Sequence, residues 1–366
     1  MPTPRAEGNV TLMTVARAVG VSAMTVSNAY NRPHKLSPAL RERILRVAHD
    51  LGYPGPNPAA RTLRRGRAGS IGLLFGEELT YVFHDPGALE FLRGLAEGTA
   101  RHNNVLQLIG ALDADGQEGS SLLANAIVDG LVVWSLPDRH PLVRLARERN
   151  IPLVTHGSPH LDGVPFVGID DRAAAKAAAE HLLQLGHRSL AVISFPFGPS
   201  RRARHRDSTK INRPGYRVTR ERLAGYRAAA NAATPRRAAL DIYEVAVNSR
   251  DEGRHAALVL LRATPRPTAV LAMSDELATG ALAAARELGL GVPDDLSVLG
   301  WDDSSSARAS DPALTTVAQS LYEQGRTCAR LLITATRGEV VGDDLVQLAP
   351  WQLIRRKSTG SPPPNQ

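Results

Sequence analysis

The sequence predicts a small all-α head followed by a larger α/β body with room for two lobes. Two observations lead to this division. Short helical segments joined by a Gly-containing link occupy the first part of the chain, and from residue 70 onward short apolar runs alternate with helical segments. With 366 residues, 43% of them hydrophobic and 22% charged, the chain is long enough for two or three folded domains.

Three short helices are predicted in the head. The first covers about residues 13–19 and ends at Gly20, and the second follows Ser22, a residue type that caps helix N-termini. Because so short a link separates them, this pair has the form of a helix-turn-helix. The third helix covers residues 38–51, begins with a proline and carries one apolar face.

The positive charge of the chain is concentrated around this head. The formal net charge is +8, and residues 1–70 contain 11 Lys/Arg against 3 Asp/Glu, so the rest of the chain is neutral. A basic head on a neutral body indicates a polyanionic partner for the head. Charge alone is equally compatible with a solvated basic arm.

If the helix pair binds DNA, its second helix enters the major groove. Four side chains are predicted on its exposed face, where an asparagine can pair with adenine and small apolar groups can contact thymine methyl groups: Ala23, Met24, Ser27 and Asn28. Three more are suited to phosphates: Ser22, Thr25 and Asn31. The alternative is an ordinary three-helix bundle.

A longer series of residues resembles the DNA-binding head of the lactose/galactose repressor (LacI/GalR) family. The matching positions are Val10-Thr11-Leu12, Val15-Ala16, Gly20-Val21-Ser22, Thr25-Val26-Ser27, Asn31, Leu36-Ser37 and Leu51-Gly52-Tyr53. The match continues through Asn57 and Ala60-Arg61-Thr62-Leu63, which resemble the hinge helix of that family. There the hinge leucine, here Leu63, inserts into the minor groove and bends the DNA. The resemblance therefore adds further expected DNA contacts: Thr11, Leu12, Lys35, Tyr53, Asn57, Ala60, Arg61 and Leu63.

The head departs from the family at two places. Ala23, Met24 and Asn28 stand where most relatives carry bulkier or charged residues, so a different operator half-site is expected. Residues 54–58 are one residue longer than the usual entry to the hinge, which leaves the hinge register open.

Eight strands and seven helices are predicted in the body. The strands cover 71–75, 105–109, 130–134, 152–156, 166–169, 189–193, 269–273 and 297–301. The helices cover 89–102, 142–149, 172–185, 220–233, 253–263, 275–287 and 321–337. This alternation predicts parallel sheets covered by helices on both faces, and a body of this length can hold two such sheets.

Several segments of the body resemble the sensor domain of the same family, which has a type I periplasmic-binding-protein-like fold. They are Gly168-Ile169-Asp170-Asp171, Leu185-Gly186-His187-Arg188, Arg222-Leu223-Ala224-Gly225-Tyr226, Ser274-Asp275-Glu276-Leu277-Ala278 and Gly300-Trp301-Asp302-Asp303. The resemblance implies two lobes joined by three crossovers, with a ligand cleft at the carboxyl ends of the strands. The domain boundaries that follow are 10–56 (head), 57–69 (hinge and linker), 70–357 (effector-binding and dimerisation domain) and 358–366 (a disordered tail).

Nine residues are expected to contact an effector in this cleft. Arg222 matches an effector-binding arginine of many relatives, and Asp275 and Asp302 match acidic positions that bind sugar hydroxyls through charge-assisted hydrogen bonds. For both acids, helix capping is the alternative role. The other candidates are Tyr81, Phe83, Asp85, Ser135, His156 and Trp301.

Two segments of the body depart from the family. Where relatives have Asn-Pro and two aromatic residues, this chain has Asp85-Pro86-Gly87-Ala88, and Tyr81 and Phe83 are expected to supply the stacking surface. An Arg-rich segment of unusual length, residues 196–220, is expected to be a disordered surface loop, with a lid that favours an acidic ligand as the alternative.

These features predict a cytoplasmic, ligand-responsive transcriptional regulator that binds a palindromic operator as a homodimer and takes a sugar-like effector. The sequence gives no sign of a signal peptide, a membrane span, a metal cluster or a cofactor motif. A sugar-binding protein with the same body fold but no DNA role is the first alternative. A nucleotide-dependent enzyme is the second, but its Gly-rich loop is missing after the strand at residues 71–75.

Overall fold

The computed structural model describes residues 10–56, 66–77, 80–111, 120–207, 213–235, 237–339 and 345–364. The chain divides into two compact units, residues 1–68 and 69–366. Each unit has hydrophobic core clusters of its own.

The first unit contains the three predicted helices and a short 3-10 turn at Pro33–Lys35. Helix α1 covers Leu12–Val19, α2 covers Ala23–Asn31 and α3 covers Pro38–Asp50. Each begins at a hydroxyl-bearing cap, and α1 ends at Gly20, whose φ of 75° favours a residue without a Cβ. The buried core of the head comprises Val15, Ala16, Val19, Val26, Ala29, Ile44 and Ala48.

Two arginines of α3 connect the three helices. The Nε of Arg41 donates to the carbonyl oxygen of Ala29 at 3.2 Å, and the Nη2 of Arg43 donates to that of Val19 at 3.4 Å. Both carbonyls belong to the last turns of their helices, where no intrahelical donor is left for them. Part of the basic excess of the head is therefore structural.

The second unit contains two sheets, each the centre of one lobe. In the first lobe six parallel strands have the order β12-β5-β4-β3-β1-β2. The strands are β1 Ser70–Phe75, β2 Val105–Gly110, β3 Gly130–Trp134, β4 Leu153–His156, β5 Phe166–Gly168 and β12 Val346–Leu348. The helices of this lobe are α4 Pro86–Ala100, α5 Ser120–Asn125, α6 Pro141–Glu148 and α12 Leu321–Thr336.

In the second lobe seven strands have the order β13-β11-β10-β9-β6-β8-β7, and only the two edge strands are antiparallel to their neighbours. The strands are β6 Ser189–Ser194, β7 Arg204–Arg206, β8 Ala239–Glu244, β9 Ala269–Ala272, β10 Ser297–Asp302, β11 Thr315–Ala318 and β13 Gln352–Ile354. The helices are α7 Asp171–Gln184, α8 Arg217–Ala232, α9 Arg250–Leu261, α10 Asp275–Glu287 and α11 Ser305–Ala309.

The chain passes between the two sheets three times, after β5, after β11 and after β12. This is the predicted two-lobed architecture, and the predicted fold class is confirmed. The parallel strands of each lobe direct loops from their carboxyl ends toward a common cleft. No helix in the described ranges is long and apolar enough to cross a membrane.

The prediction of a disordered tail is wrong for its first residues. Ser358 is fully buried, and its Oγ accepts a hydrogen bond from the Thr315 backbone at 2.8 Å. Its carbonyl oxygen accepts from the Val298 backbone at 2.8 Å, and the Gly360 carbonyl lies 2.9 Å from Nε2 of His187. The tail is held because its backbone and side chains satisfy polar groups of β10, β11 and the buried histidine.

Candidate ligand cleft and nucleic-acid interface

A cleft at the carboxyl ends of the strands brings together side chains from both lobes. Six of the nine residues predicted to bind an effector line it: Tyr81, Asp85, Ser135, His156, Arg222 and Asp302. Further lining residues were not predicted, and the most polar of these are Glu77, Asp171, Arg201, Asn248, Gln319 and Gln324.

Asp85 connects the first lobe to the second. It caps α4, because its Oδ1 accepts from the Ala88 backbone at 2.8 Å, and its Oδ2 accepts from the Tyr81 hydroxyl at 2.6 Å. The side-chain amide of Asn248, in the other lobe, also donates to Oδ2 and to the Tyr81 oxygen, the latter at 3.0 Å. Burial raises the pKa of Asp85, and the hydrogen bonds from Tyr81 and the Ala88 backbone oppose that effect.

Asp302 is the matching carboxylate of the second lobe. It ends β10 with a φ of 110°, an uncommon conformation for a residue with a side chain, and accepts a hydrogen bond from the Gln319 amide. Burial raises its pKa well above the usual range, and the neighbouring charge of Asp275 adds to the effect. The cleft therefore contains two carboxyl groups whose hydrogen-bond donors in the protein are neutral.

Arg222 of α8 is held at the floor of the cleft. Its Nε donates to Oδ1 of Asp171 at 3.0 Å, and its Nη1 donates to the Met273 carbonyl oxygen at 2.6 Å. The guanidinium carbon lies 3.7 Å from the centroid of the Trp301 ring. Cation–π contact and two anchoring bonds fix the orientation of the remaining N–H donors.

His156 at the end of β4 is buried and uncharged near neutral pH. Burial lowers its pKa to about 4. Its Nε2 lies 2.9 Å from Oε1 of Gln324, and because the Gln324 amide nitrogen donates to Gln319, that oxygen is the acceptor and Nε2 carries the proton. Nδ1 is then an acceptor, and no described residue donates to it. The ring also packs against Phe91, 4.4 Å between centroids.

Three residues predicted to contact an effector lie away from the cleft. Phe83 is 58% exposed on a short 3-10 turn, so it supplies no stacking surface there. Trp301 is fully buried beneath Arg222. Asp275 accepts from the Ser304 backbone at 2.8 Å and from the Thr316 hydroxyl at 2.7 Å, which connects α10 to the ends of neighbouring strands.

The alternative role of Asp275 as a helix cap is also wrong. The cap of α10 is Ser274, whose Oγ accepts from the Leu277 backbone at 3.1 Å. Asp302, the other acid with that alternative, lines the cleft and precedes no helix directly, since α11 is capped by Ser304.

The Arg-rich segment also differs from its expected state. Residues 204–206 form β7 at the edge of the second sheet, and Arg201 lines the cleft. The expectation of a disordered surface loop is therefore wrong for residues 196–207. They are ordered because buried carboxylates satisfy their arginines: Glu244 accepts from both Arg204 and Arg206.

In the head, the predicted DNA-contacting residues fall into two groups. Met24 is 67% exposed, and Thr11, Ser22 and Lys35 are also exposed, whereas Ser27, Asn28, Thr25 and Asn31 are half-buried. Three others pack partly against the core of the head: Leu12, Ala23 and Tyr53. The hinge candidates lie outside the described residues: Asn57, Ala60, Arg61 and Leu63.

Several polar groups of the head are already engaged within it. The Thr11 and Thr14 hydroxyls form a reciprocal capping box, and Ser22 accepts from the Thr25 backbone at 3.1 Å. The Asn31 amide donates to the Ser27 carbonyl oxygen at 3.0 Å. Met24 therefore stands out as the large exposed apolar side chain at the start of α2, where a recognition helix meets base edges.

Comparison with known proteins agrees with both units. Residues 11–57 match the model of bacterial regulatory proteins of the lacI family, and residues 179–359 match that of the periplasmic binding protein-like domain. An HTH-type transcriptional regulator of Mycobacterium tuberculosis is 38% identical over 99% of both chains.

Two solved structures show how far the similarity of the fold extends. The complex of the transcriptional regulator CelR with cellobiose has a TM-score of 0.67 at 28% identity and covers 95% of this chain and 99% of its own. The lac repressor dimer bound to operator and the anti-inducer ONPF has a TM-score of 0.76 at 24% identity, over 97% and 100% of the two chains, and it supports the fold alone. The chain belongs to the lacI family, and it is a sequence-specific DNA-binding transcriptional regulator with a helix-turn-helix head and a periplasmic-binding-protein-like body.

Proposed function

We propose that this regulator is a cytoplasmic repressor that binds a palindromic operator as a homodimer and responds to an uncharged, hydroxyl-rich metabolite of the sugar class. The observation that carries the proposal is the set of acceptors at the cleft. Asp85 and Asp302 line the cleft from opposite lobes as hydrogen-bond acceptors, and the hydroxyl groups of a ligand can donate to carboxyl oxygens of this kind.

The charges of the cleft favour a neutral ligand over a phosphorylated one. Arg222 is paired with Asp171, and Arg201 is paired with Glu77, so both guanidinium groups already have a carboxylate partner. Asp85 and Asp302 accept hydrogen bonds from neutral groups, so among the described residues neither carboxyl group is paired with a cationic side chain. The phosphate group of a phosphate ester replaces a hydroxyl donor by acceptor oxygens and negative charge, which these carboxyl groups disfavour. The CelR structure, whose ligand is cellobiose, supports a sugar as the class.

A ligand that binds between the lobes can change the affinity for the operator only if it binds two arrangements of the sensor with different affinities. The resemblance to the lacI family places the hinge segment, which includes Leu63, between the sensor and the head. Leu63→Ala is therefore expected to weaken specific operator binding while leaving salt-sensitive non-specific binding nearly intact.

A thermal-shift screen tests the ligand class. Free sugars and cyclic polyols are compared with their phosphate esters and with nucleosides, since a ligand that binds the folded state raises the melting temperature. We expect a neutral polyol to give a shift that its phosphate ester does not give, and we expect Asp302→Asn to weaken that shift. A larger shift with phosphate esters would exclude the proposed class.

Footprinting on fragments selected in vitro tests the operator. Two protected half-sites related by a two-fold axis are expected from a dimer of helix-turn-helix heads. Protection of a single, non-repeated half-site at all protein concentrations would contradict the homodimer on a palindrome.

A further inference from the structure

A short segment at the mouth of the cleft is fixed to the second lobe by one buried acid. We call residues 196–206 the strap. Glu244, which ends β8 and is 1% exposed, accepts from the Phe197 backbone at 2.7 Å and from Nε of Arg204 and Arg206 at 3.3 Å and 2.6 Å. The Arg206 guanidinium also lies 4.5 Å from the Phe197 ring centroid. The strap is thus anchored on both sides of Arg201.

From this anchored frame Arg201 reaches the other lobe. Its Nη2 donates to Oε1 of Glu77 at 2.8 Å, its Nη1 bonds the second oxygen of the same carboxylate, and Nη2 also bonds the carbonyl oxygen of Gly76. Gly76 and Glu77 directly follow β1 of the first lobe. The two side chains are only 17% and 20% exposed, so water screens this bidentate pair weakly.

The pair stands between two cavities. The inner cleft and an outer cavity share five lining residues: Glu77, Tyr81, Asp85, Arg201 and Asn248. Among the described residues, they also make direct contacts between the lobes: Arg201 with Glu77, and Asn248 with Tyr81 and Asp85. A ligand that enters the inner cleft from the outer cavity must pass these five shared residues.

The pairing also decides between two roles for three of the four arginines of the strap, the fourth being the exposed Arg202. Each of Arg201, Arg204 and Arg206 is satisfied by a carboxylate of the protein itself. Their charge is therefore used to hold the strap and join the lobes, and little of it is left to attract an acidic ligand. Arg201 has a φ of 41°, so its backbone adopts an uncommon conformation at the point where the side chain crosses.

We propose that the strap is a lid, and that the Arg201–Glu77 pair is a latch that joins the two lobes and must open for a ligand to enter or leave the inner cleft. Glu244 is a positioning residue, because it holds the strap in place and lines neither of the two cavities. This inference does not depend on the chemical class of the effector, so it stands or falls separately from the proposed function.

Cross-linking in the full-length protein tests the latch. The only cysteine, Cys328, is fully buried, and burial raises its pKa, so introduced thiols react alone. Glu77→Cys with Arg201→Cys is treated with a short bis-maleimide, and the intramolecular adduct is measured by mass. Glu77→Cys with Arg204→Cys is the matched control, because Arg204 is turned to Glu244 of its own lobe. We expect faster cross-linking of the first pair, and equal rates would overturn the latch.

Acrylamide quenching then tests whether the latch controls access. Trp134 lines the inner cleft, and Trp134→Phe in the same background assigns the signal to it. Closing the latch by cross-linking is expected to reduce the quenching of Trp134 compared with the untreated double variant. Unchanged quenching would show that the strap covers the cleft without controlling entry.

A charge exchange covers the case in which the cysteine variants fold poorly. Glu77→Arg or Arg201→Glu alone is expected to speed hydrogen exchange in residues 196–206 by about tenfold, and the double exchange is expected to restore most of the protection. Singles that leave the exchange rates unchanged, or a double variant no better than the singles, would also overturn the proposal.

Discussion

The carboxylates of Asp85 and Asp302, which belong to opposite lobes, converge on one point. A Cβ placed on Gly87 would lie 3.1 Å from Oδ1 of Asp85 and 3.3 Å from Oδ2 of Asp302. Burial raises the pKa of Asp302 most, and the charges of Asp275 and, to a lesser extent, Asp85 add to the effect. Ionisation of both acids at once is therefore unfavourable, and a ligand with two adjacent hydroxyl groups at this point can donate to both carboxyl groups.

Gly87→Ala tests this arrangement. The new methyl group would stand between the two carboxylates and 3.1 Å from Leu321, where it desolvates both acids. The gain in helix propensity, up to about 1 kcal/mol, opposes this cost. We expect a net destabilisation of about 1–3 kcal/mol at pH 7, measured by urea unfolding, with a smaller effect at pH 5. In an Asp302→Asn background the loss should shrink, and an undiminished loss there would point to Leu321 instead.

The buried, uncharged His156 makes the unfolding free energy of the sensor fall as the pH is lowered. Its folded pKa of about 4 lies below the usual value of 6.5, so its neutral form stabilises the fold above pH 6.5. This contribution is lost as the pH falls from 6.5 toward 4. Between pH 7 and pH 5 the wild type should therefore lose about 2 kcal/mol more unfolding free energy than His156→Gln, which does not titrate. Parallel pH curves for the two proteins would show that His156 is not buried uncharged.

Asp275 has the opposite pH dependence. Its folded pKa of about 6, which burial raises from 3.8, means that ionisation destabilises the fold. Its contribution to stability is largest below pH 4 and falls as the pH rises to 6. Between pH 7 and pH 5, the wild type should thus gain about 1 kcal/mol relative to Asp275→Asn.

The asparagine variant is suited to this comparison. Its amide oxygen can accept from the Ser304 backbone, and the Thr316 hydroxyl can rotate to accept from the amide nitrogen, so both contacts of Asp275 persist. A stability difference between wild type and variant that does not change with pH would contradict the raised pKa.

The sequence predicted the continuous apolar strands well and the mixed ones poorly. The runs that became β1, β3 and β9 are apolar throughout, as strands buried on both faces should be. β8 mixes polar and apolar residues, including Asp241 and Glu244, and it lies next to the edge strand β7. β11 is only four residues long and begins with two threonines.

Missing those strands had a direct effect on the predicted site. Asn248 follows β8, and Gln319 follows β11, so neither could be assigned to the carboxyl end of a strand. Asp85, Arg222 and Asp302, in contrast, were found through family resemblance and strand position. Asp275 shows the limit of that approach: its position matches, but its carboxylate is turned to Ser304 and Thr316 instead of the cleft.

Arg222→Met measures the buried ion pair at the floor of the cleft. Removing the arginine leaves the almost fully buried Asp171 with Arg217, at 3.3 Å, as its one ionic partner among the described residues. We expect a loss of about 3 kcal/mol in unfolding free energy, because the buried carboxylate loses the more buried of its two arginine partners. Adding Asp171→Asn to Arg222→Met should recover part of the lost unfolding free energy. Arg172→Met breaks the exposed pair with Glu221 on the same two helices and should cost less than about 1 kcal/mol.

Lys35→Gln tests the contribution of the head to phosphate binding. Lys35 is exposed at the turn that follows α2, and a lysine that neutralises one phosphate releases about one counterion. The slope of log affinity against log salt should become shallower by about 0.9, on a selected operator and on random duplex alike, in a fluorescence-anisotropy titration. Lys176→Gln, on α7 of the sensor, makes the same change of charge away from the head and should leave the slope unaltered. If Lys35→Gln weakens only the selected operator and keeps the wild-type slope, Lys35 contacts a base edge instead of a phosphate.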